Sequence, residues 1–182
     1  LIEILKNDRY DIIQLEMIYM APYIDTIRAY SDAKIVLRAH NVEHLIWDRI
    51  AKKTRFLPKK WYLNHLVRTL KNYELNAINE VDGIAAITYR DAAFFRGETA
   101  IPVIDIPYGV NPEEFTPSYK IKEKPTLYHI GSMNWMPNEE GIRWFLNNVW
   151  DKVAKRNPDL QLNLAGRNMP KWLLRLKKKN VN

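Results

Sequence analysis

The feature that most constrains this chain is an alternation. Short apolar runs of strand length are separated by longer segments whose apolar residues recur at three- and four-residue steps. Residues 10–16, 34–39, 83–88 and 103–107 read as buried strands. Residues 17–30, with Pro22 near the start, residues 59–80 and residues 90–95 read as helices, and residues 1–5 as the tail of another. In the longest of these, Leu63, Leu66, Val67, Leu70, Tyr73, Leu75 and Ile78 keep helical phase. Strands joined through helices pair in parallel, and parallel strands need cover, so the pattern predicts an α/β fold with helices on both faces of a parallel sheet.

The pattern breaks at Gly109. Residues 109–125 carry Pro112, Pro117, Pro125, Lys120, Lys122, Glu123 and Lys124 without apolar periodicity, as a linker does. Then it restarts. Residues 126–130 form a strand running into Gly131-Ser132, and residues 137–156 a helix with Ile142, Phe145, Leu146, Val149 and Val153 on one stripe. Glu139 and Glu140 in its first turn and Lys155 and Arg156 in its last suit the helix dipole. Residues 160–165 make a further strand ending on Gly166-Arg167, and residues 172–176 begin a helix. The expected organisation is two Rossmann-like lobes, 1–108 and 126–182, joined by the linker 109–125. Two strands do not complete a parallel-sheet lobe, and the chain opens at Leu1 inside an apolar periodic stretch, so both lobes are expected to be incomplete in an internal slice of a longer protein.

Composition removes several chemistries. With no cysteine there is no disulfide, thiolate metal site or cysteine nucleophile, and a reducing compartment, the cytoplasm, is favoured. No run approaches the ~18 apolar residues of a membrane span. The net charge of +7 sits largely in two runs, Lys52, Lys53, Arg55, Lys59, Lys60 and Lys171, Arg175, Lys177, Lys178, Lys179. Such runs are usually solvated faces.

In doubly wound sheets ligands bind beyond the carboxyl ends of the strands. Those ends hold Glu16 and Met17, His40-Asn41-Val42-Glu43, Thr88, Tyr108-Gly109-Val110-Asn111, Gly131-Ser132-Met133-Asn134 and Gly166-Arg167. His40, directly after a strand and followed by the polar Asn41 and Glu43, stands where a general base or anion ligand would be held. His44 and His65 fall in helical segments, His129 inside a strand, and the four histidines lack zinc spacing. Gly131-Ser132 offers backbone N–H groups and a helix start to a phosphate, although a glycine that merely permits a tight turn reads the same way. It is neither Gly-x-Gly-x-x-Gly nor a Walker A loop, which argues against nicotinamide dehydrogenases and P-loop NTPases.

Three of these turns, taken in order and spacing, resemble the landmarks of GT-B glycosyltransferases of the family 4 (group 1) type: Leu37-Arg38-Ala39-His40-Asn41-Val42-Glu43, Ile106-Pro107-Tyr108-Gly109-Val110-Asn111 with Phe115, and Ile130-Gly131-Ser132-Met133-Asn134-Trp135-Met136-Pro137-Asn138. The resemblance implies a chain holding the end of the acceptor lobe, the hinge and the start of the nucleotide-sugar donor lobe. It places His40 near the donor sugar and diphosphate as the catalytic histidine. Gly109 and Asn111 fall at the hinge turn, with Asn111 where relatives have Asp, and Asn41 and Glu43 line the cleft. Gly131, Ser132, Asn134 and Arg167 fall at the diphosphate. Relatives carry an Arg and a Lys soon after that glycine; here Ser132 and Met136-Pro137-Asn138 occupy the span, so Arg143 or Arg167 is expected to substitute. The family's paired glutamates would lie beyond Asn182.

The implied activity is retaining transfer of a sugar from a nucleotide-diphosphate donor to a carbohydrate or lipid-linked acceptor, in polysaccharide or glycoconjugate synthesis. It needs no metal and no cofactor beyond the donor, since amides, a helix N-terminus and basic side chains meet the leaving diphosphate. The slice alone is expected to be inactive, and no nucleic-acid partner is expected. The alternative is a non-catalytic scaffold or membrane-surface unit, its basic helix with Trp61 and Tyr62 contacting anionic lipid at the inner face of the membrane. A nucleotide-sugar epimerase of the same shape ranks below both, and turnover without an acceptor would mark it.

Overall fold

The computed structural model describes residues 1–116 and 124–182, which divide into two compact units, Leu1–Asn111 and Pro112–Asn182. Pro117, Lys120, Lys122 and Glu123 of the expected linker lie outside the described residues.

Unit 1 runs α1 (Ile2–Asn7), β1 (Ile12–Glu16), a 3-10 turn (Ile18–Tyr23) leading into α2 (Ile24–Tyr30), β2 (Lys34–Ala39), α3 (Glu43–Lys53), α4 (Leu57–Ala77), β3 (Gly83–Ala86), α5 (Tyr89–Glu98) and β4 (Val103–Asp105). The strands are parallel in the order β1-β2-β3-β4. Local chemistry sets the helix starts: Thr88 accepts the Asp91 N–H at 3.0 Å to cap α5, and Pro58 fills the first turn of α4, where no amide partner is needed.

The register decides which face is core. Leu15 lies opposite Leu37, Leu37 opposite Ile84 and Ile84 opposite Val103, and these join Ile13, Ile35, Ala39 and Ala86 in one apolar cluster. The opposite face carries Ile12 and Ile104, which are 62% and 55% exposed. The α/β architecture is the expected parallel, Rossmann-like one, but the core lies on one face of this sheet and not on two. The strand order explains it: each crossover steps in the same direction, so right-handed connections bring their helices to the same side. Helices on both faces require the order to reverse.

Unit 2 holds a 3-10 turn (Pro112–Glu114), β5 (Thr126–Ile130), α6 (Met136–Phe145), a π-helical turn (Leu146–Trp150), α7 (Asp151–Arg156), β6 (Gln161–Ala165) and α8 (Lys171–Leu174). β5 and β6 are parallel, and Val181 begins a parallel bridge on Leu162. The π turn inserts one residue into the expected helix, so the stripe that begins with Ile142 and Leu146 passes to a fully buried Trp150, while Val149 is half-buried. Trp150 donates its Nε1 hydrogen to the Lys179 carbonyl at 3.2 Å.

Candidate functional site

In unit 1 the carboxyl ends of the strands bring His40, Glu16 and Tyr108 together. The His40 Nε2 lies 2.8 Å from a Glu16 carboxylate oxygen and 3.1 Å from the Tyr108 hydroxyl, which is also 3.4 Å from Nδ1. The Tyr108 ring meets the imidazole edge-on at 5.8 Å and lies under the Arg38 guanidinium at 5.4 Å. Parallel pairing places Glu16 beside Arg38, two residues before His40. The chain then leaves β1 through Met17 at φ 72°, a strained conformation for a side-chain-bearing residue, pinned by its N–H to the Arg38 carbonyl at 3.0 Å. Hydrogen bonding to His40 is the main cause that lowers the Glu16 carboxyl from its ordinary pKa, with Gln14 and the Arg38 charge helping against desolvation. An ionised Glu16 that accepts the Nε2 hydrogen leaves Nδ1, 3.4 Å from the Tyr108 hydroxyl, as the accepting nitrogen, the arrangement that orients a histidine for proton transfer or hydrogen bonding.

Asn41 and Glu43, hydrogen-bonded to each other, have different surroundings. Asn41 lines an open cleft of about 400 Å³ beyond β2 and β3, together with Arg49, Thr88, Arg90 and Asp91. The Arg90 side chain makes no hydrogen bond or ion pair with a described residue. Glu43 instead is buried; its carboxylate accepts from the Tyr19 hydroxyl at 3.0 Å and from Asn41 Nδ2 at 3.4 Å. Burial, then the bond to Glu43, raises the Tyr19 phenol.

Beneath Glu43 is a polar cluster that the sequence did not single out. Glu74 of α4, 1% exposed, accepts the N–H groups of Glu43 and His44 at 2.9 and 3.2 Å and bonds His44 Nδ1 at 2.6 Å. It thus caps α3 from another helix. A signal existed: Leu63, Val67, Leu70, Glu74 and Ala77 fall on one helical row, and a carboxylate on an apolar row needs a buried partner. Gly109 has open space around it, and its turn requires no glycine on steric grounds. Asn111 is the last residue of unit 1.

In unit 2 the turns after β5 and β6 are interlocked. The Gly131 N–H donates to the Ala165 carbonyl at 3.1 Å and the Met133 N–H to the Arg167 carbonyl at 2.9 Å. Gly166 adopts φ +146°, and a Cβ there would fall 1.7 Å from the Gly131 carbonyl oxygen. Only glycine permits this approach. A Cβ on Gly131 would meet Asn138 Nδ2 at 3.1 Å, the group that bonds the Ser132 carbonyl at 3.0 Å. Ser132 donates its hydroxyl to Asn134 Oδ1 at 2.6 Å. The amides of Ser132 and Asn134, and the Arg167 side chain, make no hydrogen bond to a described residue. Gly131, Ser132, Asn134 and Arg167 are therefore gathered at the start of α6. Arg143 is not free to join them, because it pairs with Glu139 at 2.9 Å and stacks on Trp172 at 4.0 Å. His129 is half-buried, and its Nε2 lacks a hydrogen-bond partner among the described residues.

Among the described residues no group of three or more His, Cys, Asp or Glu could hold a metal ion. No described helix is long and apolar enough to cross a membrane. No family model matches the chain, and no curated protein matches it. Among solved structures the chain is similar to the Glycosylation Associate Protein (Gap123) complex from Streptococcus agalactiae, with a TM-score of 0.42 and 11% sequence identity. The match covers 90% of this chain and 28% of that one, so the chain spans little more than a quarter of its length.

Proposed function

We propose that the chain carries parts of the acceptor and donor lobes of a retaining glycosyltransferase, which moves a sugar from a nucleotide-diphosphate sugar to a carbohydrate or lipid-linked acceptor. The observation that carries this reading is the turn after β5: two unpaired amides, Ser132 and Asn134, stand with an unpaired Arg167 at the N-terminal end of α6, over a backbone that Gly166 lets approach closely. Such a set of donors fits a diphosphate, whose charge grows as the sugar departs. No metal is needed in this arrangement. In unit 1, His40 would accept a hydrogen bond from a substrate hydroxyl at Nδ1, with Glu16 and Tyr108 holding the imidazole. The cleft with Arg49 and Arg90 offers the acceptor a polar wall.

Titration of the 182-residue chain with UDP and GDP, followed by amide NMR, tests the donor side. Saturable shifts of Ser132 and Asn134 are expected, weakened several-fold by Arg167→Ala. Absence of shifts up to about 10 mM, where binding would be weaker than ~3 kcal/mol, contradicts the reading. Unchanged transfer by His40→Ala in the glycosyltransferase containing this chain would remove the histidine from the mechanism.

A further inference from the structure

We propose that the α3–α4 hairpin of unit 1 is a docking surface for an anionic lipid bilayer, its apolar tip entering the interface and its cations meeting the headgroups. None of residues 52–62 is buried, yet four of them are large and apolar. Phe56 is 68% exposed, Leu57 75%, Trp61 73% and Tyr62 55%. A contiguous exposed group of this kind has a use, because single apolar side chains scatter on surfaces but clusters mark contact sites. From Tyr62 the row continues along α4 through Leu66, Leu70 and Tyr73 at helical steps. Those three, with Trp47 of α3, line an apolar groove of about 370 Å³.

Charge selects the partner. Residues 49–73 contain eight Lys and Arg and not one Asp or Glu, a stretch of 25 residues. The acids at its two ends are engaged within the fold: Asp48 pairs with Lys52 at 2.6 Å, and Glu74 caps α3. The other basic run behaves differently. Lys178 Nζ bonds the Leu146 carbonyl and Asp151 at 2.8 and 2.9 Å, and Trp172 is tied to Glu139 at 2.7 Å. Lys178 and Trp172 thus help to close unit 2, while Lys59 and Lys60 of the first run make no ion pair with a described residue and the aromatics beside them are exposed. Cations alone would suit any polyanion, but exposed Phe56 and Leu57 offer a nucleic-acid backbone nothing, whereas Trp, Phe and Leu beside Lys and Arg are what an interfacial segment requires. The proposal does not rest on the glycosyltransferase reading.

Vesicle sedimentation of the 182-residue chain tests it, with phosphatidylcholine alone and with added phosphatidylglycerol, at low and raised salt. Binding is expected only to the acidic vesicles, with tryptophan emission shifting to the blue and salt weakening the association. The exposed pairs Leu57→Ser with Trp61→Ser, and Lys59→Glu with Lys60→Glu, leave the core untouched, which circular dichroism verifies. Each pair should weaken partitioning at least about tenfold, since each cation near an acidic surface and each buried apolar group contributes on that scale. No binding to acidic vesicles at low salt would overturn the proposal. So would unaltered binding by the Leu57→Ser/Trp61→Ser chain, which would mean a merely charged face. A single-stranded oligonucleotide bound with the same loss in both pairs would make nucleic acid the occupant instead.

Discussion

Replacing Glu74 by Ala should be among the most damaging single changes in unit 1. The carboxylate satisfies two amides of the first turn of α3 and the His44 ring while almost entirely out of water. Alanine leaves two buried N–H groups without an acceptor, each costing about 1–3 kcal/mol, and strands the imidazole as well. The sum, about 3–5 kcal/mol, matches what breaking a buried ion pair from one side costs. Against a domain stability of roughly 5–15 kcal/mol this is a large fraction. With a urea m-value of about 2 kcal/mol per M, the midpoint should fall by about 1.5–2.5 M. Total tryptophan fluorescence would mislead, because four of the six tryptophans, Trp135, Trp144, Trp150 and Trp172, belong to unit 2. Hydrogen exchange read on peptides from β2, α3 and β3 as urea is raised isolates unit 1. Glu74→Gln, which keeps a carbonyl acceptor, should lose only about 1–2 kcal/mol. The reasoning is refuted if Glu74→Ala costs less than about 1 kcal/mol, or if peptides of α6 respond as strongly as those of α3.

Other perturbations separate local causes. Gly166→Ala forces a Cβ against the Gly131 carbonyl at a positive φ and should destabilise unit 2 by more than about 2 kcal/mol, with loss of nucleotide-induced shifts; Gly131→Ala, displacing side-chain atoms of Asn138 and His129 and no backbone, should cost less. Thermal unfolding of both variants, followed on unit 2 amides, decides the order. Asp82 accepts the Ile35 N–H at 2.7 Å and pairs with Arg28 and Lys34, and the Ile35 bond leads in holding its carboxyl down to about 2. Because the folded pKa lies below the unfolded value, its contribution is present above about pH 4 and is lost as pH falls from there towards about 2. Asp82→Asn should flatten part of the acid limb of unit 1 stability by about 1–2 kcal/mol after allowance for solvent screening; an identical limb in both chains would contradict the assignment.

What the sequence determined was local. Strand-length apolar runs and 3.6-residue stripes depend on neighbours a few positions away, so β2 and β5 were legible to the residue, and β1 and β6 to within two. The positions of His40 and Gly131 at strand ends followed from them. Glu16 and Tyr108 were legible as strand-end candidates too, but not as partners of His40, since 24 and 68 residues separate them from it. The tertiary structure alone decided which polar groups lose water together: Glu74 under His44, Glu43 turned inward to Tyr19, Arg143 consumed by Glu139 and Trp172 while Arg167 stays open. It also decided that the core covers one face of the sheet, that a π turn brings Trp150 inward, and that Lys178 folds back onto unit 2 while Phe56, Leu57, Trp61 and Tyr62 stay in solvent. Backbone periodicity is a short-range property of the chain. Desolvation and pairing depend on which distant segment arrives, and that is settled only when strand order and register bring the segments together.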